Sequence, residues 1–177
     1  SKLNLEMSLN KEIVEIACKV EPDQVTLVPE KRQELTTEGG LDAASLKAKI
    51  KAAVNKFHSE DILVSHFIGP DKKQIKAAKD TGAEFIEIHT GEYANSKSEK
   101  EREVNLLKIE EATAFAHSIG LGVNAGHGLD YKNAIPICKI KHIRELNIGY
   151  SIICRAVIVG LDKAVREMRK IIDSNSL

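Results

Sequence analysis

The sequence has no excess of charge and no long apolar run, and each absence excludes a class of protein. Its 177 residues contain 26 Lys and Arg against 26 Asp and Glu, so the formal net charge at pH 7 is zero. A neutral chain lacks the positive field that attracts nucleic acid or an anionic membrane. No apolar run approaches about 18 residues, the length of a membrane-spanning helix. We therefore expect neither a nucleic-acid partner nor a membrane partner.

Cysteines and cofactor motifs are equally scarce. The three cysteines are too few and too scattered for a disulfide framework or a zinc site. The opening residues lack the basic start and apolar stretch of a signal peptide, so we expect a cytoplasmic protein. The sequence contains no HExxH, paired CxxC, Asp-rich calcium loop, Walker or GxGxxG pattern. It therefore predicts no metal and no nucleotide cofactor.

Short apolar strands alternate with amphipathic helices, which predicts a single domain over residues 1–177. The predicted strands cover residues 3–7, 25–28, 62–68, 85–88, 123–125 and 146–148. Segments between them carry apolar residues at helical spacing, such as Leu46, Ile50 and Phe57. Repeated βα units imply parallel strands, because each crossover needs a helix.

Polar residues inside these strands discriminate between the two parallel-sheet architectures. A doubly wound sheet is buried on both faces and needs nearly continuous apolar strands. Alternation instead places Asn4 and Glu6 on one side of the first strand, and Glu87 and His89 on one side of FIEIH. Such side chains are costly against a helix layer but acceptable in a wet barrel mouth. The sequence therefore favours an α/β fold of the (β/α)8 TIM-barrel type over an open sheet.

The barrel that the sequence predicts is not a whole one. About six βα units are recognisable, whereas a full barrel has eight units and typically about 250 residues. We expect the first two βα units to be absent from this sequence. Either the sequence is incomplete or the structure is an open remnant.

Two glycine-containing turns near the end of the sequence are candidates for phosphate binding. In NAGHGLD, His127 precedes Gly128, and successive N–H groups of such a turn can form an anion-binding nest. A histidine there suits proton transfer near neutral pH, although an exposed histidine in an ordinary turn explains the pattern equally well. NIGYSII leaves the last strand at Gly149. Counted from the end, these turns follow strands seven and eight of a barrel, where phosphate often binds.

The acid–base candidates are Glu6 and Glu87. A carboxylate in a strand with apolar neighbours can have a raised pKa and act as a base or stabilise a developing cation. The alternative for each residue is an ion pair with a lysine or an arginine. The loop of residues 29–40 is the candidate lid, since most βα loops have about two to six residues. The alternative for this loop is a solvated charged segment.

Four blocks of the sequence resemble pyridoxine 5′-phosphate synthase, the bacterial enzyme that closes the vitamin B6 ring, in order and spacing. The blocks are VPEKRQELTTEGGLD (28–42), EFIEIHTGEYA (84–94), VNAGHGLDY (123–131) and ELNIGYSIICRAV (145–157). The resemblance implies a (β/α)8 barrel that joins 1-deoxy-D-xylulose 5-phosphate to 3-amino-2-oxopropyl phosphate. The products are pyridoxine 5′-phosphate, phosphate and water. It also implies a homo-octamer without metal or redox cofactor, because the substrates' own amine and carbonyl form the imine.

The resemblance also assigns roles to individual residues. It implies that Glu6 is the general base, His127 the proton donor and Glu87 the group that stabilises the transition state. The substrate-binding positions that it implies are Thr36, Gly128, Gly149 and Tyr150.

The sequence departs from the family pattern in two places. Tyr150 stands where the family commonly has histidine, a mild change if the backbone N–H makes the contact. The family's early segments, which supply a further catalytic histidine and phosphate contacts, have no counterpart. If these 177 residues were the whole protein, we would expect little or no synthase activity. The rival hypotheses are another phosphate-binding barrel, such as a sugar-phosphate isomerase, and a noncatalytic remnant.

Overall fold

The fold is a single parallel sheet with helices in the connections between its strands. A computed structural model describes residues 1–36 and 39–176. The strands are β1 (Asn4–Met7), β2 (Gln24–Leu27), β3 (Leu63–Ile68), β4 (Phe85–His89), β5 (Gly122–Gly126) and β6 (Ile143–Asn147). The helices are α1 (Lys11–Val20), α2 (Lys47–His58), α3 (Lys72–Thr81), α4 (Gly91–Ala94), α5 (Glu99–Ser118), α6 (Ala134–Cys138), α7 (Tyr150–Val159) and α8 (Leu161–Asn175). A short 3₁₀ helix covers Arg32–Glu34.

The order of the strands in the sheet follows the chain from β1 to β6, and every neighbouring pair is parallel. The sheet curls into a half-barrel. The prediction of six parallel strands in βα units is therefore confirmed. Within the described residues β1 and β6 are the edges of the sheet, so eight-stranded closure is not part of what the structure describes.

Side-chain caps explain where several helices begin. The Asn10 side chain accepts a hydrogen bond from the N–H of Glu12 at 3.0 Å, and the Asp71 side chain accepts one from Gln74 at 2.8 Å. Ser98 does the same for the long helix α5 at 3.2 Å. Each cap satisfies a backbone donor that the helix cannot satisfy itself and stabilises it by about 1 kcal/mol.

Alternation along the strands divides the sheet into an apolar face and a polar face. In β4, Ile86 and Ile88 are fully buried in one core cluster with helix residues such as Ile109. Glu87, between the two isoleucines, points away from that cluster because successive side chains of a strand alternate. The inner face of the curled sheet therefore carries the polar groups that the sequence singled out. No helix among the described residues has both the length and the apolar composition needed to cross a membrane.

The long connection between β2 and α2 is fastened to the end of β3. The N–H of Leu41 donates to the carbonyl of Phe67 at 2.8 Å, and Leu41 is fully buried. Gly40 packs on the backbone there, since a Cβ at this position would lie 2.5 Å from the nitrogen of Gly69. Thr37 and Glu38 of the candidate lid lie outside the described residues. The remainder of this connection is held beside the open mouth of the half-barrel.

Candidate functional site

A cavity of about 940 Å³ opens where strands β1, β4, β5 and β6 end. Six of the seven residues predicted from the sequence line it, namely Glu6, Glu87, His127, Gly128, Gly149 and Tyr150. The parallel strands explain this convergence, because their carboxyl ends meet at one rim and the loops that follow face the same space. The predicted acids, the predicted imidazole and both glycine turns therefore share one site.

Glu87 is the most buried ionisable group of this cavity, with only 3% of its surface exposed. The side-chain amide of Asn147 donates a short hydrogen bond to one oxygen of its carboxyl group. Gly126 makes room for the other oxygen, since a Cβ at that position would overlap Glu87 Oε1. The prediction of an inward carboxylate in β4 is thus matched by a pocket shaped around it.

Burial raises the pKa of Glu87 to about 7, and the nearby charge of Glu6 acts in the same direction. The hydrogen bond from Asn147 opposes the rise because it favours the ionised form. At neutral pH this carboxyl group is close to half protonated. It can therefore hold a proton or release one with little change in free energy, which suits acid–base chemistry.

The turn after β5 holds His127 in an uncommon backbone conformation. His127 has φ of 82° and Gly128 has φ of 75°, so two successive residues lie in the left-handed region. Thr90 is fully buried, and its hydroxyl lies 2.8 Å from the carbonyl oxygen of Gly126 and 2.6 Å from the carbonyl oxygen of His127. Thr90 thereby fixes the turn that presents the imidazole to the cavity.

The turn after β6 leads directly into the N terminus of α7. Among the described residues, no side chain caps this terminus. A Cβ at Gly149 would meet nothing within 4 Å, so the approach to these N–H groups is open. The Ser151 hydroxyl donates to the carbonyl of Leu129 at 2.8 Å and ties the two glycine turns together. Free N–H groups at a helix N terminus attract anions, so this corner of the cavity can hold a phosphate.

Thr36 is the one predicted site residue that the structure does not place in the cavity lining. Its backbone N–H donates to the carbonyl of Gly40 at 2.8 Å. Its hydroxyl oxygen is buried and has no hydrogen-bond partner among the described residues. Contact between Thr36 and a substrate therefore stays a prediction.

Metal-binding geometry is not found in the part of the chain that the structure describes, which holds no group of three or more His, Cys, Asp or Glu arranged around a common point. The cysteines are unpaired thiols. Cys154 alone among them lines the cavity, on the first turns of α7.

Two residues of this site were not predicted as functional. In the sequence Asn147 is only a polar residue between Leu146 and Ile148, and its partner Glu87 is 60 residues away. Thr90 gave no signal at all, because it looks like an ordinary residue at a strand end. A polar side chain between apolar neighbours in a strand is the one pattern that points to such a partner.

Known proteins match this chain along nearly its whole length. Residues 1–174 match the model of the family described as pyridoxal phosphate biosynthesis protein PdxJ. The chain belongs to the PdxJ family. It is 53% identical over 172 residues to pyridoxine 5′-phosphate synthase of Prochlorococcus marinus, across 97% of this chain and 70% of the relative. It is 54% identical over 168 residues to the synthase of Trichlorobacter lovleyi, across 95% and 70% respectively.

Solved structures outside the PdxJ family share the fold. The 3-keto-L-gulonate-6-phosphate decarboxylase of Vibrio cholerae superposes with a TM-score of 0.65 at 16% identity, over 99% of this chain and 73% of that one. The probable 3-DHS dehydratase AsbF of Bacillus anthracis gives a TM-score of 0.61 at 9% identity, over 95% and 70%. At such low identity these structures show the fold alone.

Proposed function

We propose that this chain is a pyridoxine 5′-phosphate synthase, which condenses 1-deoxy-D-xylulose 5-phosphate with 3-amino-2-oxopropyl phosphate. One observation carries the proposal. Glu6, Glu87 and His127 meet in a single cavity, in a chain 53% identical to a synthase of that name. The products are pyridoxine 5′-phosphate, phosphate and water.

The main role of the protein in this condensation is to transfer protons to and from the reacting substrates. The amine of one substrate forms an imine with the carbonyl of the other, and ring closure then requires removal of carbon-bound protons, elimination of one phosphate as inorganic phosphate, and loss of water. Glu6 acts as the general base, and His127 donates protons to the departing oxygens. Glu87, whose pKa of about 7 is set mainly by burial, is ionised often enough to stabilise a cationic intermediate and is otherwise neutral.

The two glycine turns supply the phosphate-binding groups of the proposed site. Gly128, with its positive φ, and the open N terminus of α7 after Gly149 offer backbone N–H groups to an anion. The Tyr150 side chain is 86% exposed, which favours a contact through its backbone over one through its ring. Thr36 completes the proposed contacts from the side of the long loop.

Variants of the full-length protein test these roles in an assay that follows pyridoxine 5′-phosphate formation. Glu6→Gln and His127→Asn are expected to lower kcat by roughly 100-fold or more, the usual contribution of a positioned general acid or base. The matched control is Glu15→Gln, which neutralises an exposed acid of α1 outside the cavity. Undiminished turnover in the Glu6 and His127 variants would reject the assigned roles. Turnover of a ribosyl phosphate in place of the two substrates would instead support an isomerase.

We further propose that the chain forms one domain of the (β/α)8 barrel type and assembles as a homo-octamer in the cytoplasm. The curl of the six-stranded sheet supports the barrel, as does the greater length of the curated relatives, of which the chain spans about 70%. Helix α7 supports assembly, because Ile153, Val157 and Ile158 expose between 58% and 80% of their surface. Light scattering on the full-length protein tests this proposal: an octamer mass is expected, and a monomer would contradict it.

A further inference from the structure

His89 lies directly behind the catalytic imidazole and is not used by the proposed mechanism. It ends β4, is half-buried and does not line the cavity. Its ring stacks on that of His127, with centroids 4.6 Å apart and planes inclined by 23°. Phe67 packs edge-on against the His89 ring, with centroids 5.0 Å apart. His89 therefore touches His127 without facing the substrate space.

A backbone contact sets the tautomer of His89, and burial keeps its ring neutral. The N–H of Gly91 donates to His89 Nδ1 at 3.3 Å, so this nitrogen is an acceptor and the ring proton resides on Nε2. Burial lowers the pKa of His89 to about 4, and the charge of His127 contributes to the fall. His89 is consequently neutral near pH 7. A neutral ring can support His127 in either protonation state without electrostatic repulsion.

The backbone at two glycines, Gly39 and Gly91, also packs closely on the His89 ring. A Cβ at Gly39, on the long loop, would lie 3.2 Å from His89 Cε1. A Cβ at Gly91 would overlap the His89 ring and lie 3.2 Å from His127 Cδ2. The backbone thus approaches the His89 ring closely from two segments, and at Gly91 only glycine leaves enough room. These contacts restrict the orientations that the His89 ring can take, while His127 keeps its open side toward the cavity.

We propose that His89 is a positioning residue, which keeps the His127 imidazole aligned with the cavity by stacking against it. The inference rests on the proposed function only where activity is measured. Proton transfer demands that donor and acceptor stay within hydrogen-bond reach, so a loosely held imidazole would transfer its proton less often. His89 supplies the rigid surface against which that imidazole is held.

Two substitutions in the full-length protein separate the stacked ring from the hydrogen bond. His89→Asn keeps a side-chain acceptor for the Gly91 N–H but removes the ring. His89→Phe keeps a ring against His127 but removes the acceptor. The matched control is His142→Asn, which breaks the other stacked histidine pair, with His117, whose centroids lie 3.8 Å apart outside the cavity.

Two readouts are needed, the steady-state constants and the NMR order parameter of the His127 Cε1–H bond, assigned from its absence in His127→Asn. We expect His89→Asn to lower that order parameter and to reduce kcat roughly tenfold or more, with KM changed by no more than about twofold. His89→Phe should restore a rigid His127 and most of kcat, and His142→Asn should change neither quantity.

The inference is overturned if His89→Asn leaves both the order parameter and kcat unchanged. It is also overturned if His89→Phe loses as much as His89→Asn, because a ring stacked on His127 would then not be sufficient to hold it. The order parameter requires no turnover. If the unaltered protein makes no pyridoxine 5′-phosphate, the proposed function fails, while the ordering of His127 still decides the role of His89.

Discussion

Replacing Glu87 by glutamine isolates the free-energy cost of a buried carboxyl group. Burial raises the pKa of Glu87 from 4.5 to about 7, so the folded protein binds this proton more tightly than the unfolded chain does. Stability from this group is therefore lost as the pH rises from about 4.5 to about 7. At about 1.4 kcal/mol per pKa unit, the total loss is about 3 kcal/mol. The side chain is only 3% exposed, so little of this is screened by solvent.

Urea unfolding at pH 5 and at pH 8 measures the effect. Glutamine keeps an oxygen that can accept the hydrogen bond from Asn147, but it does not ionise. Between the two pH values the unaltered protein should lose roughly 2.5 kcal/mol more of its free energy of unfolding than Glu87→Gln loses. Other titrating groups cancel in this comparison. Equal pH dependence in the two proteins would refute the argument.

A control of opposite sign is available in Glu34→Gln. The pKa of Glu34 is lowered, chiefly by the hydrogen bond from the backbone N–H of Glu30. A lowered carboxyl pKa gives stability that is present above the unfolded value and lost as the pH falls. Glu34→Gln should therefore cost nearly the same stability at pH 8 and at pH 5, and less once the pH falls below the ordinary pKa of 4.5.

Three further predictions concern the walls of the cavity. Gly126→Ala should lower the free energy of unfolding by about 1–3 kcal/mol, because the added Cβ would overlap Glu87 Oε1. The control Gly149→Ala adds a Cβ in open space and should cost little. Equal urea midpoints for the two variants would contradict this prediction. Asn147→Leu should move the Glu87 inflection in the kcat/KM profile to higher pH, since the lost hydrogen bond had lowered that pKa; an unchanged inflection would contradict it. Ser151→Ala should raise KM more than it lowers kcat, because it frees the two phosphate-binding turns from each other. The control Ser118→Ala removes a hydroxyl-to-carbonyl bond of similar length on α5, and an equal effect of both changes would contradict the assignment.

The sequence predicted the order of strands and helices because the apolar patterns of both are local features. Short apolar runs predicted all six strands, although β6 begins three residues earlier than predicted, and the predicted polar side of β4 lines the cavity at Glu87. Parallel order follows from the helices between strands, and it brings strand ends together. The short helices α4 (Gly91–Ala94) and α6 (Ala134–Cys138) were not predicted, since four or five residues are too few to show a helical period.

The fine structure of the site was beyond prediction because it depends on pairs distant in the chain. The Thr90 hydroxyl donates to a turn 36 and 37 residues away, and the stacking of His89 on His127 joins the end of β4 to the turn after β5. In the sequence, His89 could equally be a core histidine. The role of Thr36 was predicted from the resemblance alone and not from any pattern of residues. Its hydroxyl is buried outside the cavity lining.

The central claim is that one cavity performs the condensation of two phosphorylated substrates. The most direct measurement incubates the full-length protein with 1-deoxy-D-xylulose 5-phosphate and 3-amino-2-oxopropyl phosphate, and follows pyridoxine 5′-phosphate and inorganic phosphate together. Equimolar formation of the two products, dependent on both substrates, is the predicted result. Phosphate release without ring formation, or conversion of either substrate alone, would contradict the account.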